Sequence, residues 1–376
     1  MVAAAAHYTD VYGLDGAPVQ GAVMKRFYQL PLLLTLFCCG SVFAQTQQQA
    51  SQSMGGAEDT PWFQQTPDNQ KFALVIVGAS ANDDIRRRLR GWATDLHASL
   101  LEDYGYAGDA IELLIDDGSN VGNAASIVTG SSRVEDIEAA IGRIGRNSEP
   151  GDQLTLFLFG HGSSTFGDAK FNNVGPDMTG RDLAAMLDVL SGVDMVVFNT
   201  TSASFEFSRE LSVMGRVVVS ATRSAAERYD PLFGGFLVTA VQQKRADIDR
   251  NGRVSVLEVF NYASGQIAQW YRDQDRLSTE NAVLDDSGDG LFTREPGTGQ
   301  PDGLLAEIAY LDVISAATQK TSSGALRIAA EMQTIEREIF ILRNQKVNYL
   351  EEDYWNRLEA LLIDLATRTR RYNELP

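Results

Sequence analysis

Five short apolar runs, separated by segments of helical periodicity, constrain the fold more than any other feature of this chain. Residues 72–80 (FALVIVGAS), 111–116 (IELLID), 154–160 (LTLFLFG), 195–199 (MVVFN) and 216–222 (RVVVSAT) are apolar at successive rather than alternate positions. A strand of that kind is buried on both faces, as in a parallel sheet covered by helices. The amphipathic stretches 83–104, 134–146 and 182–190 supply the covering helices. Residues 69–300 are therefore expected to form an α/β domain with a parallel sheet between helical layers. Ligands of such sheets bind beyond the carboxyl ends of the strands, which is where chemistry is to be sought.

Two of those ends carry reactive side chains. The third run closes in Gly160-His161-Gly162-Ser163-Ser164, and the fourth in Asn199-Thr200-Thr201-Ser202-Ala203-Ser204. A histidine between two glycines at this edge faces the crevice, and glycine lets backbone N–H groups come close to a substrate carbonyl. Ser and Thr also gather at strand ends to bond free backbone groups, so the hydroxyl cluster alone decides nothing.

Over about residues 72–289 the chain resembles the legumain-type cysteine peptidases, relatives of caspases and gingipains. The resemblance is carried by FLFGHGSS, by the stretch around Pro176 and Asp182-Leu183, and by RVVVSATRSAAERYD. It implies a caspase-like sheet, with His161 in the place of the catalytic histidine and Gly162 in the place of the glycine whose N–H serves the oxyanion hole. Matching Ser202-Ala203 to the family's Ser-Gly puts Thr200 where the catalytic cysteine belongs. A thiol is partly ionised near neutrality and intrinsically nucleophilic; a threonine hydroxyl is neither. It would need a base in hydrogen-bond contact, oriented by a third group, and the nearest downstream carboxylate is Asp168. The expectation is a peptidase fold that has lost catalysis and keeps its crevice for a peptide or protein ligand. The alternative is a hydrolase in which Ser202, Thr201 or Ser204 replaces the thiol and His161 acts as base.

A second motif is independent of the first. Residues 247–258 (DIDRNGRVSVLE) fit the twelve-residue calcium loop of an EF-hand. Asp247, Asp249 and Asn251 offer oxygens at alternate positions, Gly252 allows the sharp turn, and Arg253 supplies a backbone carbonyl. Ser255 follows and Glu258 closes the loop, with helical patterns at 235–244 and 256–271 on either side. A structural Ca2+ ion is expected there. The run Asp285 to Gly290 repeats the first half but places Pro296 where the closing acid should stand, leaving either an incomplete loop or a separate acidic turn.

Residues 301–376 read as a helical region. Ile328, Met332, Ile335, Ile339, Leu342 and Tyr349 keep a near-heptad spacing broken at Lys346, and Leu358, Leu361, Leu362 and Leu365 continue it. This is a helical hairpin or coiled coil, serving either as a cap on the sheet or as an arm for a homo-oligomer or another partner. At the other end, residues 24–44 (MKRFYQLPLLLTLFCCGSVFA) have a basic start, an apolar stretch and a small-residue cleavage site. The stretch is shorter than the roughly 20 residues of a spanning helix, so a cleaved signal peptide and a periplasmic or secreted protein are expected, with no stable membrane span. Residues 1–23 are expected to be a mis-assigned leader ahead of the signal's natural first residue, Met24, and residues 45–68 a Gln-rich polar linker. Cleavage after Ala44 removes Cys38 and Cys39, the two cysteines of the chain. The 50 acidic against 32 basic residues, a net charge of −18, exclude a sequence-independent nucleic-acid grip, which needs a basic surface.

Overall fold

The computed structural model describes residues 60–375 apart from 81, 166–167, 298–299 and 315–321. The leader, the signal segment and residues 45–59 of the linker lie outside the described residues.

The five apolar runs become strands β1 (Lys71–Val77), β2 (Ile111–Ile115), β3 (Gln153–Phe159), β7 (Asp194–Asn199) and β8 (Arg216–Ser220). They form one sheet in the order β2-β1-β3-β7-β8, all parallel, and β9 (Val283–Asp285) adds an antiparallel edge beside β8. Three short strands, β4 (Gly162–Thr165), β5 (Asp168–Phe171) and β6 (Met178–Thr179), make a small antiparallel sheet directly after β3. The run 72–80 leaves the sheet after Val77, where Gly78 packs so close to the carbonyl of Asn172 that a Cβ would come within 2.4 Å.

Helices cover both faces, as continuous burial of the strands requires. One layer consists of α1 (Asp83–Glu102), α5 (Phe233–Val241), α6 (Val256–Asp273) and α7 (Leu304–Ile308), packed on Val75, Phe157, Phe198 and Val217. The opposite layer consists of α2 (Val134–Asn147), α3 (Gly180–Leu187) and α4 (Phe205–Arg209), packed on Leu74, Leu156, Val197 and Val218. Alternate residues of each strand serve opposite layers. Phe157 and Phe198 stack across β3 and β7 at 5.3 Å, an aromatic pair worth about 1 kcal/mol beyond its area, and fix the two site-bearing strands side by side. Local signals place the helices: Asn82 caps α1 by accepting from the N–H groups of Asp84 and Ile85, and Thr179 with Asp182 closes a capping box on α3.

The near-heptad region is a hairpin of α8 (Ser323–Asn344) and α9 (Glu351–Glu374), turning at 345–350 where Lys346 interrupts the apolar pattern. Ile328, Ile335 and Leu342 are buried, and Tyr354 alone is buried along α9. Leu304, Leu305, Ala309 and Leu311 belong to the core of the sheet, and Phe340 of α8 joins the same core. No helix among the described residues is long and apolar enough to cross a membrane.

Candidate functional site

The loops after β3 and β7 lie side by side at the carboxyl edge. Gly162 approaches the second loop so closely that a Cβ would stand 2.4 Å from the Ser202 carbonyl oxygen and 2.9 Å from the Thr201 hydroxyl. Its N–H donates to Ser202 Oγ at 3.3 Å, and the Ser202 hydroxyl donates to the Gly162 carbonyl at 3.2 Å. The glycine expected to serve an oxyanion hole thus directs its N–H to a neighbouring loop.

His161 is partly exposed, and its Nδ1 stands 3.0 Å from Oδ1 of Asp230. Asp230 also meets Arg88 of α1, whose Nη2 is 3.4 Å from Oδ2 and whose guanidinium lies over the Trp92 ring. A carboxylate this close to Nδ1 is placed to orient the imidazole. Asp168 plays no part here: it pairs with Lys170 at 3.4 Å, and the carboxylate beside His161 comes from the loop before α5. That loop is anchored by buried Glu280, which accepts from the N–H groups of Leu232 at 2.9 Å and Phe233 at 3.1 Å. Burial raises the Glu280 pKa to about 7 against the pull of those N–H donors.

The hydroxyls of the second loop all turn into the protein. Thr200 is 4% exposed, and its Oγ1 donates to the Leu158 carbonyl at 2.7 Å, with Gly234 of α5 close over it. Thr201 donates to Asn199 Oδ1 at 2.7 Å, and Ser204 bonds Ser220 and Thr222, each at 2.9 Å. Ser202 is 2% exposed and engaged with Gly162. Among the described residues no hydrogen bond joins the imidazole to any of these hydroxyls. Ala203 sits in the left-handed region at φ 48°, where glycine is the usual occupant, and its N–H is held by the Glu227 carbonyl.

In the loop 247–258, oxygens of Asp247, Asp249 and Glu258 lie within 4.8 Å of one another, a geometry exposed acidic groups also adopt without an ion. Asn251 joins the cluster through Asp249, its Nδ2 donating at 2.9 Å. Gly252 adopts φ 82°, the turn the loop requires, and its N–H donates to Asp247 Oδ2 at 3.0 Å. Asp247 Oδ1 is buried without a partner. Two of the expected ligand positions point their side chains elsewhere. The Ser255 hydroxyl caps α6 through Glu258, and the Arg253 guanidinium lies 3.9 Å over the Tyr310 ring, leaving only its carbonyl to the loop. The flanking helical pattern expected at 235–244 is met by α5, which ends at Val241, and by a 3-10 turn over Gln242–Lys244 that is kinked at Gln243.

The second acidic run is a turn. Asp285 accepts from the N–H groups of Ser287, Gly288 and Gly290, and Asp286 from those of Gly303 and Ala306. Those carboxylates replace the missing backbone partners of a tight connection.

No family model matches the chain, and no curated protein matches it. Among solved structures it is similar to the crystal structure of drICE, at 10% identity and a TM-score of 0.36, over 61% of this chain and 92% of that one. A likeness at that level assigns no activity, and the α/β architecture rests on the sheet itself.

Proposed function

We propose that the chain is an exported relative of the legumain-type peptidases that no longer cleaves, and that the crevice between the loops after β3 and β7 binds a peptide or protein segment. The observation that supports this most is the disposition of the second loop: Thr200, in the nucleophile position of the resemblance, is buried and donates to the Leu158 carbonyl. A hydroxyl in that state has neither a base to take its proton nor a path to a substrate carbonyl. The alternative, a hydrolase using Ser202, is favoured by one contact, since that hydroxyl touches the residue next to His161. A fluorophosphonate probe separates the two. The purified protein is expected to stay unlabelled, and labelling that disappears in His161→Ala would overturn the non-catalytic reading.

The loop 247–258 is proposed to hold a structural Ca2+ through Asp247, Asp249, Asn251, Glu258 and the Arg253 carbonyl, supported by the unpartnered Asp247 oxygen. An ion that binds only the folded state at 100 times its Kd adds about 2.7 kcal/mol. The melting temperature should therefore rise with Ca2+ and fall with chelator, and Asp247→Asn should abolish the difference. Equal melting in both conditions would remove calcium from the account. The hairpin of α8 and α9 is proposed as an assembly arm, because Leu350, Trp355, Leu362 and Ile363 are exposed on it. Deleting residues 322–376 should abolish oligomers in light scattering while the α/β part stays folded.

A further inference from the structure

A cavity of about 560 Å3 lies between the hairpin and the core, within the range of small-molecule sites. It sits at the opposite edge of the sheet from His161: Lys71 and Gln153, the first residues of β1 and β3, both bond the carbonyl of Tyr310, which lines it. Trp62, Ile308, Ile339, Leu362 and Leu365 give it apolar walls.

Most of its polar lining is already engaged. Gln333 donates to the Gln65 carbonyl at 2.8 Å, Thr369 to the Leu365 carbonyl at 2.9 Å, and Arg343 grips Glu307 through two bonds of 2.8 and 2.7 Å. Two groups differ. Arg253 uses Nη2 on Gln65 at 2.8 Å and encloses Nε without a partner, and Nη1 makes no hydrogen bond among the described residues. The Glu336 carboxylate likewise accepts no hydrogen bond there, although it lies near enough to interact electrostatically with Arg253. A donor and an acceptor without protein hydrogen-bond partners therefore line the same chamber; the enclosed Arg253 Nε is costly to leave unanswered, whereas Glu336 is an exposed residue that faces water until a ligand replaces it.

We propose that this cavity binds an apolar molecule headed by a carboxamide, whose C=O accepts from Arg253 and whose N–H donates to Glu336 while its body lies against Trp62, Ile339 and Leu365. The two chemistries within reach are an acyl amide and the amide of a short apolar peptide. A simple carboxylate fits less well, because it meets the Glu336 charge.

The test is isothermal titration calorimetry of the full chain with decanamide, with acetyl-dileucine amide and with decanoate. Saturable binding is expected for at least one amide, and which one binds tells the acyl source from the peptide source. Decanoate is expected at least tenfold weaker at pH 7. Arg253→Met and Glu336→Met should each weaken the amide at least tenfold, and Leu362→Trp, which fills the chamber from its wall, should abolish binding with an unchanged circular dichroism spectrum. Absence of saturable heat from both amides, binding indifferent to Leu362→Trp, or decanoate binding as tightly as decanamide would overturn the proposal.

Discussion

The two loops at the carboxyl edge of the sheet are neighbours, yet they are built for different purposes. The loop after β3 presents an imidazole that is partly exposed and held by Asp230. The loop after β7 withdraws every hydroxyl it has, with Thr200, Thr201, Ser202 and Ser204 all buried and bonded within the protein. One side presents an imidazole beside a carboxylate, and the other is a plug of inward-bonded hydroxyls. The difference shows that the residues shaping one side of a sheet-edge crevice can also be the ones that satisfy the ends of buried strands.

The largest effect expected from breaking this arrangement is at the point where the loops touch. Gly162→Ala would drive a methyl group into the Ser202 carbonyl, with the buried and bonded Thr201 hydroxyl and the Lys170 carbonyl close beside it. Overpacking of this kind should cost about 3 kcal/mol, read as a lower melting temperature or denaturation midpoint. Wild-type stability would mean that the two loops are not locked together.

A smaller effect belongs to the His161 side alone. Glu280 has a folded-state pKa of about 7, above that of an unfolded glutamate, so folding takes up a proton between about pH 4.5 and 7. Its stabilising contribution is complete below the unfolded value and is lost as the pH rises through 7. Wild-type stability should fall across this window, and Glu280→Gln should remove one proton's share of the slope, up to about 1.4 kcal/mol per pH unit. Asp194, raised by burial to about 7, should keep part of the slope in the variant. Identical profiles for the two proteins would show that Glu280 is not the buried anchor behind Asp230.

The smallest effect should come from the plug. Thr200→Val removes the bond to Leu158 while keeping the shape, at a cost of about 1 kcal/mol in chemical denaturation. Peptide binding in the crevice should not change. A loss of function out of proportion to that cost would give the Thr200 hydroxyl a role beyond the fold.

How far these features could be read in the sequence follows from their range. The parallel sheet is legible because burial on both faces writes itself as runs such as 154–160, and the hairpin because its apolar residues recur at near-heptad spacing, with Ile328, Ile335 and Leu342 buried along α8. His161 and Gly162 are legible as neighbours at a strand end. Asp230 is not: it arrives from beyond β8, in a connection with no periodicity, and Asp168 was nearer in sequence but bonds Lys170 instead. The direction of the Thr200 hydroxyl is also invisible, since a Ser/Thr cluster reads alike whether it faces solvent or a carbonyl. The acidic turn at 285–290 repeats the first letters of the other loop, down to the glycine N–H that bonds the first aspartate, and Pro296 in place of the closing acid is the signal that sets it apart.

The most direct test of the contrast between the loops is a peptide library incubated with the protein and with His161→Ala, scored by mass spectrometry for retained peptides and for newly created termini. The account predicts peptides retained by the wild type, fewer retained by the variant, and no new termini from either. New termini that appear with the wild type and vanish with His161→Ala would contradict it.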